Sequence, residues 1–130
     1  MQSVELGLRV GIAGLGAIGK SLALKLDAGI PGLRLTAIAV RDVAAARRRV
    51  SLQSPCVFTD LAGLEPHCDL VVECAPSKLL PEIARPMLQA GKKVMVLSVG
   101  ALLLNLDLIE LARERERWRT VVQQSGIKAD

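Results

Sequence analysis

The residues with the clearest chemical potential are three glycines at fixed spacing, Gly14-Leu15-Gly16-Ala17-Ile18-Gly19, between the apolar run Arg9–Ala13 and a segment with helical periodicity. In such a loop the first glycine permits a tight turn. The second leaves the backbone open to a ligand, and the third lets the following helix pack on the strand. The free amides and positive end of the helix then suit a pyrophosphate. The spacing therefore predicts a dinucleotide site built from the backbone of Gly14, Gly16, Ala17, Ile18 and Gly19.

A second phosphate pattern overlaps the first. Gly14 and Gly19 are followed by Lys20 and Ser21, so the segment also satisfies the spacing of a nucleoside-triphosphate loop. That chemistry needs a strand-end acid for a magnesium ion, and the apolar run that could supply one ends in Glu73. Leu15, Ala17 and Ile18 read as helix-packing residues rather than an arch around phosphate. The dinucleotide reading is preferred, with the NTPase as the lesser alternative.

The ribose-reading position falls about 20 residues beyond the last glycine, at Val40, Arg41 or Asp42. A guanidinium at Arg41 can pair with a 2′-phosphate, so NADP is the expected cofactor, alongside NAD. Asp42 reads as a helix cap. The far half of the ligand is expected against two small-residue turns, Cys74–Ala75 and Ser98–Gly100–Ala101. No catalytic residue and no metal site is assigned. Cys56, Cys68 and Cys74 read as reduced thiols, and their spacing matches no zinc pattern.

The elements that must hold these residues alternate strand and helix. Strands are expected at 9–13, 33–40, 56–58, 69–75, 93–98 and 118–122. The first helix carries a stripe of Ile18, Leu22 and Leu26 and stops at Gly29, Pro31 and Gly32. Asp42, Asp60 and Ser77 are expected caps. Pro86 must kink the fourth helical segment or shift its start, and Gly91 ends it. A last helix begins at Asn105 or Asp107. The order predicts an α/β fold of the Rossmann type, a doubly wound parallel sheet of about six strands in a single domain over 1–122, with a polar tail over 123–130.

The bulk numbers agree. The chain has 130 residues, 51% of them hydrophobic, with a mean hydropathy of +0.38. Strands covered on both faces explain that richness. No apolar run reaches the roughly 18 residues of a membrane span, and the start, Met1 to Glu5, lacks secretory character, so a cytoplasmic protein is expected. The net charge is +4 and the aromatics are one Phe and one Trp, which leaves no stacking platform for nucleic acid.

Three segments together, Val10–Gly19 (VGIAGLGAIG), Asp69–Ala75 (DLVVECA) and Ala90–Leu102 (AGKKVMVLSVGAL), resemble the N-terminal half of L-aspartate dehydrogenase. The resemblance runs over about residues 8 to 122, and Ser98–Leu102 is its most specific part. The glycine loop by itself would also fit homoserine dehydrogenase or dihydrodipicolinate reductase. Membership implies NAD(P)-dependent conversion of L-aspartate to iminoaspartate, or the reverse, feeding NAD biosynthesis. It also implies a homodimer whose second domain closes over the nicotinamide. That second domain carries the family's catalytic histidine. Here the sole histidine is His67, expected at the opposite edge of the sheet, and the chain stops at Asp130. The expectation is a truncated NAD(P)-binding half that turns over L-aspartate only if the missing domain is supplied. A stand-alone regulatory or vestigial module is the alternative. Exposure of Leu102–Leu104 and Leu106 is expected to favour self-association.

Overall fold

The structure is a computed structural model and describes residues 7–124, with side-chain surroundings given through residue 116. Five strands, β1 (Leu8–Ala13), β2 (Leu33–Ala39), β3 (Val57–Thr59), β4 (Leu70–Glu73) and β5 (Lys93–Val96), alternate with helices. The helices are α1 (Ala17–Ala28), α2 (Val43–Arg49), α3 (Leu80–Gln89), α4 (Val99–Leu103) and α5 (Asp107–Gln124). The strands form one parallel sheet in the order β3-β2-β1-β4-β5. The chain winds outward from β1 in one direction and restarts from it in the other, so the connections diverge between β1 and β4 and open a crevice at their carboxyl ends.

The central strands β1, β2 and β4 are apolar because both faces are covered, whereas the edge strands β3 and β5 leave Val57 and Met95 exposed. Val10, Ile12, Leu35, Ile38 and Val72 face α1 and α2, where they meet Ala23, Leu26 and Ala46. Ala13, Ala37, Ala39 and Val71 face the other way, onto Ile83 and Met87 of α3 and onto Leu64 and Cys68. Each fully buried aliphatic side chain contributes about 2 kcal/mol of transfer free energy. A smaller cluster of Leu80, Ala84 and Leu108 joins α3 to α5.

Local signals explain the boundaries. Gly29 closes α1 in the left-handed region, at φ +118°. The Asp42 carboxylate accepts from the Ala45 amide and caps α2, while that of Asp60 accepts from the Gly63 amide and starts a short 3-10 turn. Ser77 differs from expectation. It opens a 3-10 turn, Ser77–Leu79, without a side-chain cap, and α3 begins only at Leu80. Pro86 thus lies inside α3, and the helix start has moved toward it. The stripe of α1 also differs: Gly19, Ala23 and Leu26 are buried, while Ile18 is 67% exposed.

The expected sixth strand at 118–122 is helix. α5 runs on to Gln124, because no glycine or proline interrupts the chain between Asp107 and Gln124. The short run Trp118–Val122 carries some strand propensity but no break to release it from the helix already propagating. Most of the tail expected at 123–130 lies outside the described residues.

Candidate functional site

The glycine loop lies at the carboxyl end of β1, and its three glycines are in three different environments. Gly14 adopts φ +99°, and a side chain there would come within 2.7 Å of the Ala75 nitrogen and the Cys74 carbonyl oxygen. This is where β1 and β4 turn away from each other in close contact. The turn is held by Gly14 N donating to the Ala39 carbonyl and Cys74 N to that of Ala13, each at 2.8 Å. Gly19 sits on the first turn of α1, and a methyl group there would drive into the carbonyl oxygen of Gly14. Gly16 is the opposite case: nothing lies within 4 Å of the position its side chain would take. Two glycines are therefore required by packing, and the third leaves open space beside the helix start.

That open space adjoins an uncapped helix. Gly16 is the N-cap of α1 and offers no side-chain acceptor, and no acidic residue occupies the first turn. The amides of Ala17, Ile18 and Gly19 are the donors that an α-helix cannot satisfy internally. The residues present fit a dinucleotide pyrophosphate: amides that the helix leaves unpaired, a positive helix end and a surface that a Cβ at Gly16 would obstruct.

A cavity of about 750 Å³ extends from this loop along the carboxyl edge. Gly14, Leu15 and Gly16 form one end, Val40, Arg41 and Arg49 a second wall, and Ala75, Pro76 and Leu79 a third. Its size suits a nucleotide-sized ligand. Arg41 lies where the ribose-reading residue was expected. In the sequence nothing separates Arg49 from its neighbours Arg47 and Arg48. It comes from the last turn of α2 and lines the same cavity as Arg41. Asp42, Asp60 and Glu82 also line the cavity, and the first two have a carboxylate oxygen committed to the caps described above.

The remaining expected residues are dispersed. Ala17 and Ile18 are exposed on the first turn of α1. Cys74 is half-buried and packs toward the β-strand and α1 core; burial, followed by the neighbouring Glu73 charge, pushes its thiol pKa up. Ser98, Gly100 and Ala101 follow β5, with Ser98 the N-cap of α4. None of these three lines the cavity. His67 is in a 3-10 turn, Glu65–His67, before β4, at the amino edge as expected.

Glu73 has a different place from the one the triphosphate reading needs. It is fully buried. Its Oε1 accepts from the amides of Leu97 and Ser98, each at 2.9 Å, and its Oε2 accepts from the Ser98 hydroxyl at 2.6 Å. A carboxylate so occupied is not directed at a metal in the crevice. α1 also begins at Ala17, so residues that would arch around a triphosphate are already helical. Both observations remove the physical basis of the NTPase alternative.

Comparison with known proteins agrees with this geometry. Residues 14–121 match the family described as homoserine dehydrogenase, NAD binding domain. The chain is 52% identical over 101 residues to L-aspartate dehydrogenase 3 of Bordetella bronchiseptica, covering 76% of this chain and 36% of that protein. It is 46% identical over 113 residues to L-aspartate dehydrogenase of Bradyrhizobium diazoefficiens, covering 86% of this chain and 40% of that protein. It thus spans a little over a third of the length of the curated relatives it matches. Among solved structures, a 3-ketoreductase from Actinomadura kijaniata in complex with TDP-benzene and NADP is similar with a TM-score of 0.69 and 27% identity, over 84% of this chain and 36% of that one. Scyllo-inositol dehydrogenase from Lactobacillus casei, with bound NAD(H) and scyllo-inositol, gives 0.66 and 25%, over 83% and 34%.

Proposed function

The chain belongs to the homoserine dehydrogenase NAD-binding domain family, and we propose that it holds NADP or NAD along the carboxyl edge of its sheet as the dinucleotide-binding part of an L-aspartate dehydrogenase-like oxidoreductase. The observation that carries this reading is the contrast among the glycines: Gly14 and Gly19 are closed by packing while Gly16 is open beside an uncapped helix start. In this reading the amides of Ala17, Ile18 and Gly19 bind the pyrophosphate. Arg41, joined by Arg49, meets the adenosine 2′-phosphate of NADP. Ala75 and, across the next strand, Gly100 and Ala101 border the nicotinamide half. The bound cofactor would supply hydride acceptance. The residues of this chain orient it.

The substrate of the whole oxidoreductase is L-aspartate, as the relatives' names suggest. Met95, Leu97, Val99, Leu103, Leu104 and Leu106 are all exposed, Leu104 to 86%. An apolar patch of that kind supports self-association. Leu102 is half-buried against Leu80 and Leu108 and contributes less than expected. Among the described residues no helix is long and apolar enough to cross a membrane, and the proposed place of action is the cytoplasm.

Fluorescence titration of the 130-residue chain with NADPH and NADH tests the cofactor reading. Both are expected to bind. NADP(H) binding more than about tenfold weaker than NAD(H), a margin of roughly 1.4 kcal/mol, would remove the role given to Arg41. Sedimentation at tens of micromolar tests association, and a clean monomer would count against it.

A further inference from the structure

Glu73 is the only charged side chain among the buried residues described. It is the last residue of β4, opposite Val96 of β5. Burying a carboxylate costs several kcal/mol unless donors compensate. Here they do: two backbone amides and one hydroxyl, at 2.9, 2.9 and 2.6 Å, all from Leu97 and Ser98. The three donors cluster at the point where β5 gives way to α4. The next residues after Glu73 are Cys74 and Ala75, which pack on Gly14, and Ala75 lines the cavity. One carboxylate therefore joins the cavity wall after β4 to the turn after β5.

We infer that Glu73 is a positioning residue that holds the Leu97–Gly100 turn in place for the nicotinamide half of the dinucleotide, acting through Ser98 rather than touching the ligand. The inference rests on the dinucleotide reading above. In a sheet of this topology the two nucleotide halves lie on either side of the switch between β1 and β4, so the turns after β4 and β5 belong to the second half. The bonding of Ser98 shows its part. Its amide and hydroxyl both donate to Glu73, and its carbonyl accepts from Leu102. Its donors are thus committed to support and not offered to a ligand. Two residues on, nothing lies within 4 Å of the position a Gly100 side chain would take, so the open surface begins where the support ends.

The test compares NADPH with 2′-phospho-ADP-ribose, which keeps the adenosine half and lacks nicotinamide. Both are titrated against the full chain, Ser98→Ala, Glu73→Ala and Glu73→Gln. Ser98→Ala and Glu73→Ala are expected to weaken NADPH by about tenfold, the order of one charge-assisted hydrogen bond, while the nicotinamide-free ligand changes less than about twofold. Glu73→Gln should recover most of the NADPH affinity, because its amide oxygen still accepts both backbone donors. Amide hydrogen exchange at Leu97 and Ser98 should quicken in step with the NADPH loss. Equal weakening of both ligands would overturn the inference and leave Glu73 a structural residue only, and so would unchanged NADPH affinity with faster exchange. If Glu73→Ala does not fold, Ser98→Ala decides the matter alone. A full chain that binds neither ligand removes the dinucleotide reading and this inference with it, an outcome distinct from the others.

Discussion

The two edges of the sheet are held by different means. At the amino edge side chains bridge neighbouring elements. Arg9 at the start of β1 grips Asp69 with two guanidinium bonds, Nη2 to Oδ1 at 2.9 Å and Nε to Oδ2 at 3.2 Å, and with its own amide at 3.1 Å. Lys92 meets both the carboxylate and the carbonyl of Glu65, and Thr36 donates to the His67 carbonyl. At the carboxyl edge around the cavity the ties are backbone to backbone, through Gly14, Ala39, Ala13 and Cys74, and the side chains there are mostly small. The amino edge closes itself with charge. The carboxyl edge keeps a helix end and a crevice open; its charged braces are local caps at Asp42 and Asp60 and, outside the cavity, Glu73, which alone of the three is buried. Side-chain cross-links and the approach for a ligand thus lie at opposite ends of the same strands.

The sharpest way to break this contrast is within the glycine loop. Gly14→Ala places a side chain at φ +99° and within 2.7 Å of the Ala75 backbone. Strain and overpacking together should cost about 3 kcal/mol, seen as a large fall in Tm. Gly16→Ala meets no neighbour, so the same measurement should change by no more than about 1 kcal/mol, the cost of alanine at a helix N-cap. NADPH affinity should nevertheless fall at least about tenfold, because the methyl group occupies the approach to the α1 amides. A Gly16→Ala chain that binds NADPH normally would sink the placement of the pyrophosphate.

How much of this was legible in the sequence follows from how local each signal is. The glycine spacing, the caps at Asp42 and Asp60 and the buried strands depend on residues a few positions apart, and they appear where the pattern places them. The stripe on α1 was misread at Ile18, because Gly19, which looks like a gap in an apolar pattern, is the residue that must sit against Gly14. The sixth strand was misread because a short apolar run after a charged helix has no intrinsic stop. Glu73 was visible only as a strand-end acid. Its partners lie 24 and 25 residues away, brought near by the pairing of β4 with β5, and nothing local encodes that register. Arg49 was hidden in a triplet of arginines, Arg47–Arg49, whose members a helix turns in different directions. Arg47 instead sits over the Phe58 ring at 4.9 Å.

The amino edge offers the smallest effect and the cleanest control. The Arg9 and Asp69 side chains are 34% and 39% exposed, so their pair is worth about 0.5 kcal/mol after solvent screening. The hydrogen bond from Arg9 holds the Asp69 carboxyl below its usual value of 3.8. A carboxyl depressed on folding adds stability above its unfolded pKa and loses it as pH falls through the folded one. Arg9→Ala should therefore lower Tm slightly at pH 7, and the gap to the parent chain should narrow as the pH falls to 3.8 and below. NADPH affinity should stay unchanged throughout, since no atom of this pair borders the cavity. A loss of affinity in Arg9→Ala comparable to that in Gly16→Ala would mean that the two edges are coupled through β1, and that the division of labour between them fails.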